Sequence, residues 1–366
     1  VTRARAFGLP LRGTPGPSNA ITDVPGVEVG YTTLLSGDGP LRVGEGPVRT
    51  GVTALLPRGR AGDGHPCTAG LYSLNGNGEM TGAHWIAESG TLAVPVLITN
   101  THAVGPCHRG VIDRAVRERG GRPAEWMLPV VAETWDGYLN DIDGPHVTSA
   151  HAVAAIDAAR GGPVAEGSVG GGTGMNCYGF KGGSGTSSRI VEYGPDTYTV
   201  GVFVQANFGA RRELTVCGVH VGDDLADDNP MEDTDWIAPP GAGSVIVVVA
   251  TDAPLLPGQC TALARRVPLG LARTGTVGHH SSGDVFLAFS TADQGPMTDG
   301  FPVGPPGYDT LRYVQRNRID PFYEAVVQGV EEAVLNALLA AETLVGRDGH
   351  RSPALPKDRL RDLMGL

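Results

Sequence analysis

Ser244 follows Gly243 directly and opens the run Ser-Val-Ile-Val-Val-Val-Ala, a junction whose residue types could do chemistry. A serine hydroxyl attacks poorly until a base takes its proton. Cutting the peptide bond before Ser244 would give the residue its own base, because a free α-amine has a pKa near ~7.7–8.0. Self-cutting is chemically sound here. The hydroxyl attacks the Gly243 carbonyl, an N→O acyl shift gives an ester, and water opens it. Gly243 has no Cβ to obstruct that attack and tolerates unusual backbone geometry. The plainer reading is a serine that begins a strand after a turn, and residue types alone leave both readings open.

The elements around this junction sharpen it. Upstream, Asp223, Asp224, Asp227, Asp228, Glu232, Asp233 and Asp235 lead into Pro239-Pro240-Gly241-Ala242-Gly243. So polar a stretch has little apolar area to fold on, which predicts an exposed, mobile loop able to move away after a cut. Downstream, the short β-branched run predicts a strand buried on both faces, which would hold a new amine in place. Other strands are expected at Gly51–Leu56, Leu92–Thr99, Thr197–Gln205 and Val285–Ser290. Helices are expected from a Ser149 cap to Gly161-Gly162, over Arg109–Arg119, and over Pro257–Arg273 with a kink at Pro268. A last helix should start with Asp320 as its cap and Pro321 in its first turn, with Val327, Val330, Val334 and Leu338 at helical spacing.

Composition narrows the class. The chain has 366 residues, 41% hydrophobic and 18% charged, enough for a sizeable core and too apolar for general disorder. A net charge of −11 with scattered arginines argues against a nucleic-acid surface. Cys67, Cys107, Cys177, Cys217 and Cys260 form no CxxC pair and read as reduced, mostly buried thiols. The N-terminal residues lack a secretory apolar core. Val245 to Ala250, the longest strongly apolar run, is far short of the ~20 residues of a membrane helix. A cytoplasmic location and no membrane partner are the default expectation; a presequence removed ahead of Val1 would direct the chain to the periplasm instead.

Several stretches together resemble one family. They are Asn19-Ala-Ile-Thr-Asp-Val-Pro-Gly-Val-Glu-Val-Gly30, Pro129-Val-Val-Ala-Glu-Thr134, Gly161-Gly-Pro-Val-Ala-Glu-Gly167 and Val169-Gly-Gly-Gly-Thr-Gly-Met175. Gly201-Val-Phe-Val-Gln-Ala-Asn207, Ala250-Thr-Asp-Ala-Pro-Leu255, Ser282-Gly-Asp284 and Phe289-Ser290-Thr291 continue the series. Spanning nearly the whole chain in order, they are similar to the L-aminopeptidase/D-esterase and β-peptidyl aminopeptidase family, self-processing serine enzymes with an N-terminal nucleophile. The resemblance implies a four-layer αββα sandwich, also found in ornithine acetyltransferases, which use threonine instead of serine. It implies one intertwined domain over 1–366, cut between Gly243 and Ser244 into fragments 1–243 and 244–366, and a homotetramer of the cleaved pair. Its substrates would be short peptides, amides or esters bearing L-, D- or β-amino acids, and it needs no cofactor and no metal.

Roles carry over by position. Ser244 is the implied nucleophile, and Ser282 and Asp284 the implied pair supporting it. Their i, i+2 spacing independently suggests one face of a strand. Asp284 stands where β-peptidyl members have Glu, one methylene longer. Asn207 would donate to the oxyanion, worth roughly 3–4 kcal/mol of barrier, although an Asn before Phe-Gly is also a common turn former. Glu133 would bind the substrate's free amine, with Trp135, Trp126 and Asn100 as pocket candidates. The Gly170–Gly174 run with Lys181 lacks a phosphate-loop pattern and reads as tight packing beside the site. His279-His280 lacks zinc spacing and reads as the loop leading to Ser282, and the acidic loop lacks EF-hand spacing. Two alternatives differ in class: an acyltransferase that needs an acceptor amine, and an uncut binding protein of the same fold.

Overall fold

A computed structural model describes residues 2–62, 66–122, 126–232, 243–292, 304–308 and 310–366. Among them, ten strands build two large sheets. They are β1 (Glu28–Ser36), β2 (Val48–Leu56), β3 (Cys67–Gly76), β4 (Thr91–Leu92), β5 (Val96–Asn100), β6 (Val130–Thr134), β7 (Gly183–Tyr193), β8 (Asp196–Asn207), β9 (Ser244–Thr251) and β10 (Gly283–Ser290). One sheet has the order β1-β2-β5-β6, the other β4-β3-β10-β9-β8-β7. Five helices cover them: α1 (Val104–Glu118), α2 (Ser149–Asp157), α3 (Pro257–Ala264), α4 (Val267–Ala272) and α5 (Asp320–Ala340).

Three apolar clusters set the layers. Ile98, Val96 and Ala132 of the smaller sheet meet Phe203, Ile246, Val248 and Leu287 of the larger one. On the smaller sheet's other face, Val52, Leu97 and Val131 pack on Cys107, Val111, Ala152 and Ile156 of α1 and α2. On the larger sheet's other face, Val202, Val204, Val245 and Val247 pack on Cys260, Leu263, Leu271, Val330 and Val334 of α3, α4 and α5. The result is the four-layer αββα sandwich expected from the sequence. Strand alternation assigns the sides of β9: Val245, Val247 and Val249 face the helices, while Ile246, Val248 and Ala250 face the other sheet. All eight residues of β9 are buried, as a β-branched run between two neighbouring strands requires.

The structure revises several boundaries. The strand expected over Leu92–Thr99 is two pieces, β4 and β5, because the ladder stops short of Pro95. The Ser149 helix has Thr148 in the cap position, with Ser149 as its first residue, and it ends at Asp157, ahead of the glycines. Helix α1 starts at Val104, five residues before Arg109, and continues a short turn over Thr101–Ala103. The kink expected at Pro268 is a full break between α3 and α4. Asp320 begins α5 but Ile319 occupies the cap position, so the Asp320 carboxylate serves the first turn and the helix dipole instead.

The acidic segment is not loose at its start. The Arg211 guanidinium donates to the carbonyls of Leu225 and Asp227, at 2.9 and 3.0 Å. Asp227 pairs with Arg359, and Asp228 with Arg351. Scattered arginines supply the anchors that a local reading of composition overlooks. Asp233, Asp235 and Pro239 to Ala242 lie outside the described residues. Cys67, Cys107, Cys177 and Cys260 are buried free thiols, and Cys217 is half-buried.

Candidate active site

Strand register creates the site. β9 runs antiparallel to β8, with Ser244 opposite Asn207, and parallel to β10, with Ser244 opposite Gly283. Ser244 therefore stands at the end of the larger sheet between the two chain segments that the sequence singles out. Its hydroxyl oxygen accepts from the Asn207 side-chain amide at 3.2 Å and from the Trp135 backbone N–H at 3.1 Å. The Asn207 amide is itself oriented, because its carbonyl oxygen accepts from the Asn176 N–H at 2.9 Å. Asn176 follows the glycine run, where a Cβ on Gly171 would overlap the Ile98 carbonyl oxygen. The Gly170–Gly172 turn thus packs tightly beside the site, as expected. Lys181 is buried and donates to the carbonyls of Met175 and Gly182, at 2.6 and 3.0 Å, and burial pushes its pKa down to about 7.

The junction before Ser244 is equally constrained. The Gly243 carbonyl oxygen accepts from the Gly283 N–H at 3.1 Å, which places a donor on the carbonyl just ahead of Ser244. A Cβ on Gly243 would overlap the Asn207 carbonyl oxygen and fall 2.9 Å from the Phe208 Cα. Glycine is required there by close approach of backbone, not by a turn. Gly283 is held in the same way, since its Cβ would overlap the Asn77 carbonyl oxygen.

Ser282 and Asp284 flank Gly283 and turn to the helix-covered face, where both border one cleft with Val245. The Ser282 hydroxyl donates to Asp284 Oδ1 at 2.6 Å, and Asn75 Nδ2 donates to Asp284 Oδ2 at 2.8 Å. Burial raises the Asp284 pKa, and these two hydrogen bonds oppose the rise. Asn75 also donates to the His279 carbonyl at 3.0 Å, tying β3 to the loop before Ser282. His279 sits in that loop, as expected, with its ring 2.8 Å from Glu213. The shorter Asp284 thus reaches Ser282 and Asn75; the described hydrogen bonds do not join it to the Ser244 hydroxyl.

Glu133 lies near the end of β6, 4% exposed. Its carboxylate accepts from the Glu79 N–H at 2.9 Å and from the Thr101 hydroxyl at 2.5 Å. Burial raises its pKa, while those two donors favour the charged form. Two residues on, the Trp135 N–H meets Ser244, so one short segment links the carboxylate to the Ser244 hydroxyl. The Asn100 amide donates to the Thr50 hydroxyl at 2.8 Å and its oxygen accepts from the His102 N–H at 3.0 Å. It caps the turn that presents Thr101 to Glu133. The Trp135 ring packs over Gly137, where a Cβ would overlap it. Trp126 is 61% exposed and packs edge-on against Trp85. The described contacts do not bring it to Ser244. No group of three or more His, Cys, Asp or Glu among the described residues is placed to hold a metal.

Four participants carry no sequence signal or a misleading one. The Trp135, Gly283 and Glu79 N–H groups are backbone donors that any residue type could supply. Asn75, in Asn75-Gly-Asn-Gly78, looks like turn chemistry.

Two sheets faced by helices on both sides, with a serine leading a central strand, are the build of an N-terminal-nucleophile hydrolase. The model of peptidase family S58 matches residues 19–352, and the chain belongs to that family. It is 48% identical to the beta-peptidyl aminopeptidase BapA of Sphingosinicella microcystinivorans, over 99% of this chain and 91% of that protein. Among solved structures it is similar to the L-aminopeptidase D-Ala-esterase/amidase of Ochrobactrum anthropi, described as a prototype of the serine aminopeptidases and a variant of the Ntn hydrolase fold. That likeness has a TM-score of 0.91 at 45% identity and covers 100% of this chain and 98% of the other. A beta-aminopeptidase from Burkholderia sp. gives 0.88 at 45% identity, covering 99% and 98%. The protein is a serine peptidase with an N-terminal nucleophile fold.

Proposed function

We propose that this protein cuts itself between Gly243 and Ser244 and then removes N-terminal residues from short peptides, amides or esters. The observation that carries the reading is the pair of donors, Asn207 Nδ2 and Trp135 N, converging on a Ser244 hydroxyl at the head of a buried strand. In the uncut chain, that hydroxyl attacks the Gly243 carbonyl carbon while the Gly283 N–H polarises its oxygen. The C–N bond breaks, the amine takes the hydroxyl proton, and water hydrolyses the resulting ester.

In the cleaved enzyme, the Ser244 α-amine takes the proton from its own hydroxyl, which attacks the substrate carbonyl. The oxyanion forms two bonds from Oγ, within reach of the donors already gathered there. The amine then gives its proton to the leaving nitrogen, and water releases the acyl group by the reverse path. Glu133 holds the substrate's ammonium, a charge-assisted contact that a blocked N-terminus cannot make. Ser282, Asp284 and Asn75 hold the end of β10 against the amine. The beta-peptidyl and D-alanyl activities named for the relatives make β- and D-configured residues part of the proposed substrate range. A homotetramer of cleaved pairs belongs to the same reading.

Intact-mass measurement under denaturing conditions tests it. Wild type should give two fragments ending at Gly243 and starting at Ser244, and Ser244→Ala should give one uncut, inactive chain. An active sample with an unbroken backbone across the junction would overturn the mechanism.

A further inference from the structure

The larger sheet has a cleft on its helix-covered face whose apolar walls the chemistry above leaves unused. Its volume is about 250 Å³, with Leu74, Phe208, Val245, Leu271 and Val277 in its walls and Ser282 and Asp284 at one end. That is below the roughly 300–1,000 Å³ of pockets for drug-sized ligands. It suits one side chain. Val277 and Leu269, both at its rim, are 76% and 56% exposed, so apolar surface is left in water there.

Gly243 connects this cleft to the nucleophile. Its backbone abuts Phe208, a wall residue, and its carbonyl bonds to Gly283, the residue between Ser282 and Asp284. Once the bond is cut, the new amine lies on the residue next to Val245, a wall residue, and the place left by Gly243 adjoins Phe208, another. We propose that the cleft is the subsite for the leaving side of the substrate, taking an apolar side chain, aliphatic or aromatic, from the residue released as the amine. The proposal rests on Ser244 as nucleophile and Glu133 as ammonium holder. Glu133 fixes the acyl side on the smaller sheet. The leaving nitrogen must receive its proton from the Ser244 amine, so it sits where the Gly243 carbonyl carbon was attached. From that point the released residue extends over the end of β9 towards Val245 and Phe208. The Asp284 carboxylate in the cleft lining disfavours a released residue with a free α-carboxylate close to it, and favours an amide.

Two substrates with the same acyl residue test this: the simple amide, which releases ammonia, and the leucine amide, which releases an apolar residue. Val277→Asp and Leu74→Gln both change exposed wall positions. Each should lower the ratio of kcat/KM for the leucine amide over that for the simple amide by about tenfold or more, the scale set by losing burial of one leucine. A denaturing gel showing both fragments certifies that each variant folds and matures. An unchanged ratio in both variants overturns the subsite alone. Wild type that turns over neither substrate overturns the catalytic reading and the subsite with it.

Discussion

At the scale of single residues, the site is built on buried carboxyls whose charged form is disfavoured by burial and favoured by a few donors. Glu133 is the clearest case, with burial pushing its pKa up and the Glu79 N–H and Thr101 hydroxyl opposing that push. Such a carboxylate has spare charge for a cation and little solvent to satisfy it. Glu133→Gln keeps the shape and removes the charge, so kcat/KM for free-amine substrates should fall about 10- to 150-fold, equivalent to ~1.5–3 kcal/mol for a hydrogen bond to a charged group. Parallel turnover of free-amine and N-acetylated amides measures it; an equal effect on both would remove the role. Asn75 belongs to this scale too. Asn75→Ala strips Asp284 of one of its two described donors, letting burial raise that carboxyl's pKa further. The variant should slow maturation and move the acid limb of the pH–rate profile to higher pH, whereas a merely structural loss would lower the rate evenly at every pH. Ser244, Asn207 and Glu133 were named from the sequence through the family resemblance, which matches side chains by position. The backbone donors could not be named so, since a peptide N–H leaves no mark on residue type. Asn100 was read as a pocket candidate; its bond to the His102 N–H is a local cap, whereas Thr50 meets it only after the smaller sheet forms.

At the scale of elements, one strand and one glycine decide whether the junction can react. β9 is identifiable from its β-branched run, and a β-branched run between two neighbouring strands has no other stable placement. What the run does not encode is its register. Pairing Ser244 with Asn207 and Gly283 depends on long-range contacts across 37 and 39 positions of chain, and a one-residue slip would turn the hydroxyl to the helix face. Gly243 enforces that register through close approach, as a Cβ there would strike the Asn207 carbonyl. Gly243→Ala should therefore leave the precursor uncut over a period in which wild type matures fully, as followed by denaturing gel during expression and afterwards. Cutting at the wild-type rate would show that the approach is not required. Helix ends were less readable. α1 extends back to Val104 because it continues the Thr101–Ala103 turn, whose start is marked by the local Asn100 cap.

At the scale of the whole molecule, the order β4-β3-β10-β9-β8-β7 interleaves the two prospective fragments. β9 and β10 come from the chain after Gly243, and both are flanked by strands from before it, β3 on one side and β8 on the other. α5, also from the later part, packs its Val330 and Val334 on a cluster that includes Val202 and Val204 of β8. Arg359, near the end of the chain, pairs with Asp227 ahead of the cut. Separating the pieces would expose both faces of the central strands and break two ladders at once, so no partial opening can release one fragment intact. The four layers and an intertwined domain were expected through family resemblance, while which strands interleave follows only from strand order. Cleaved protein should therefore elute as one species on native size-exclusion chromatography. In a urea titration, separation of the fragments should coincide with loss of far-ultraviolet circular dichroism, with a single midpoint for both signals. Fragments that part at lower urea, while secondary structure persists, would mean that the cut creates two domains, and the self-cleaved enzyme would then lose its nucleophile's neighbours as it matured.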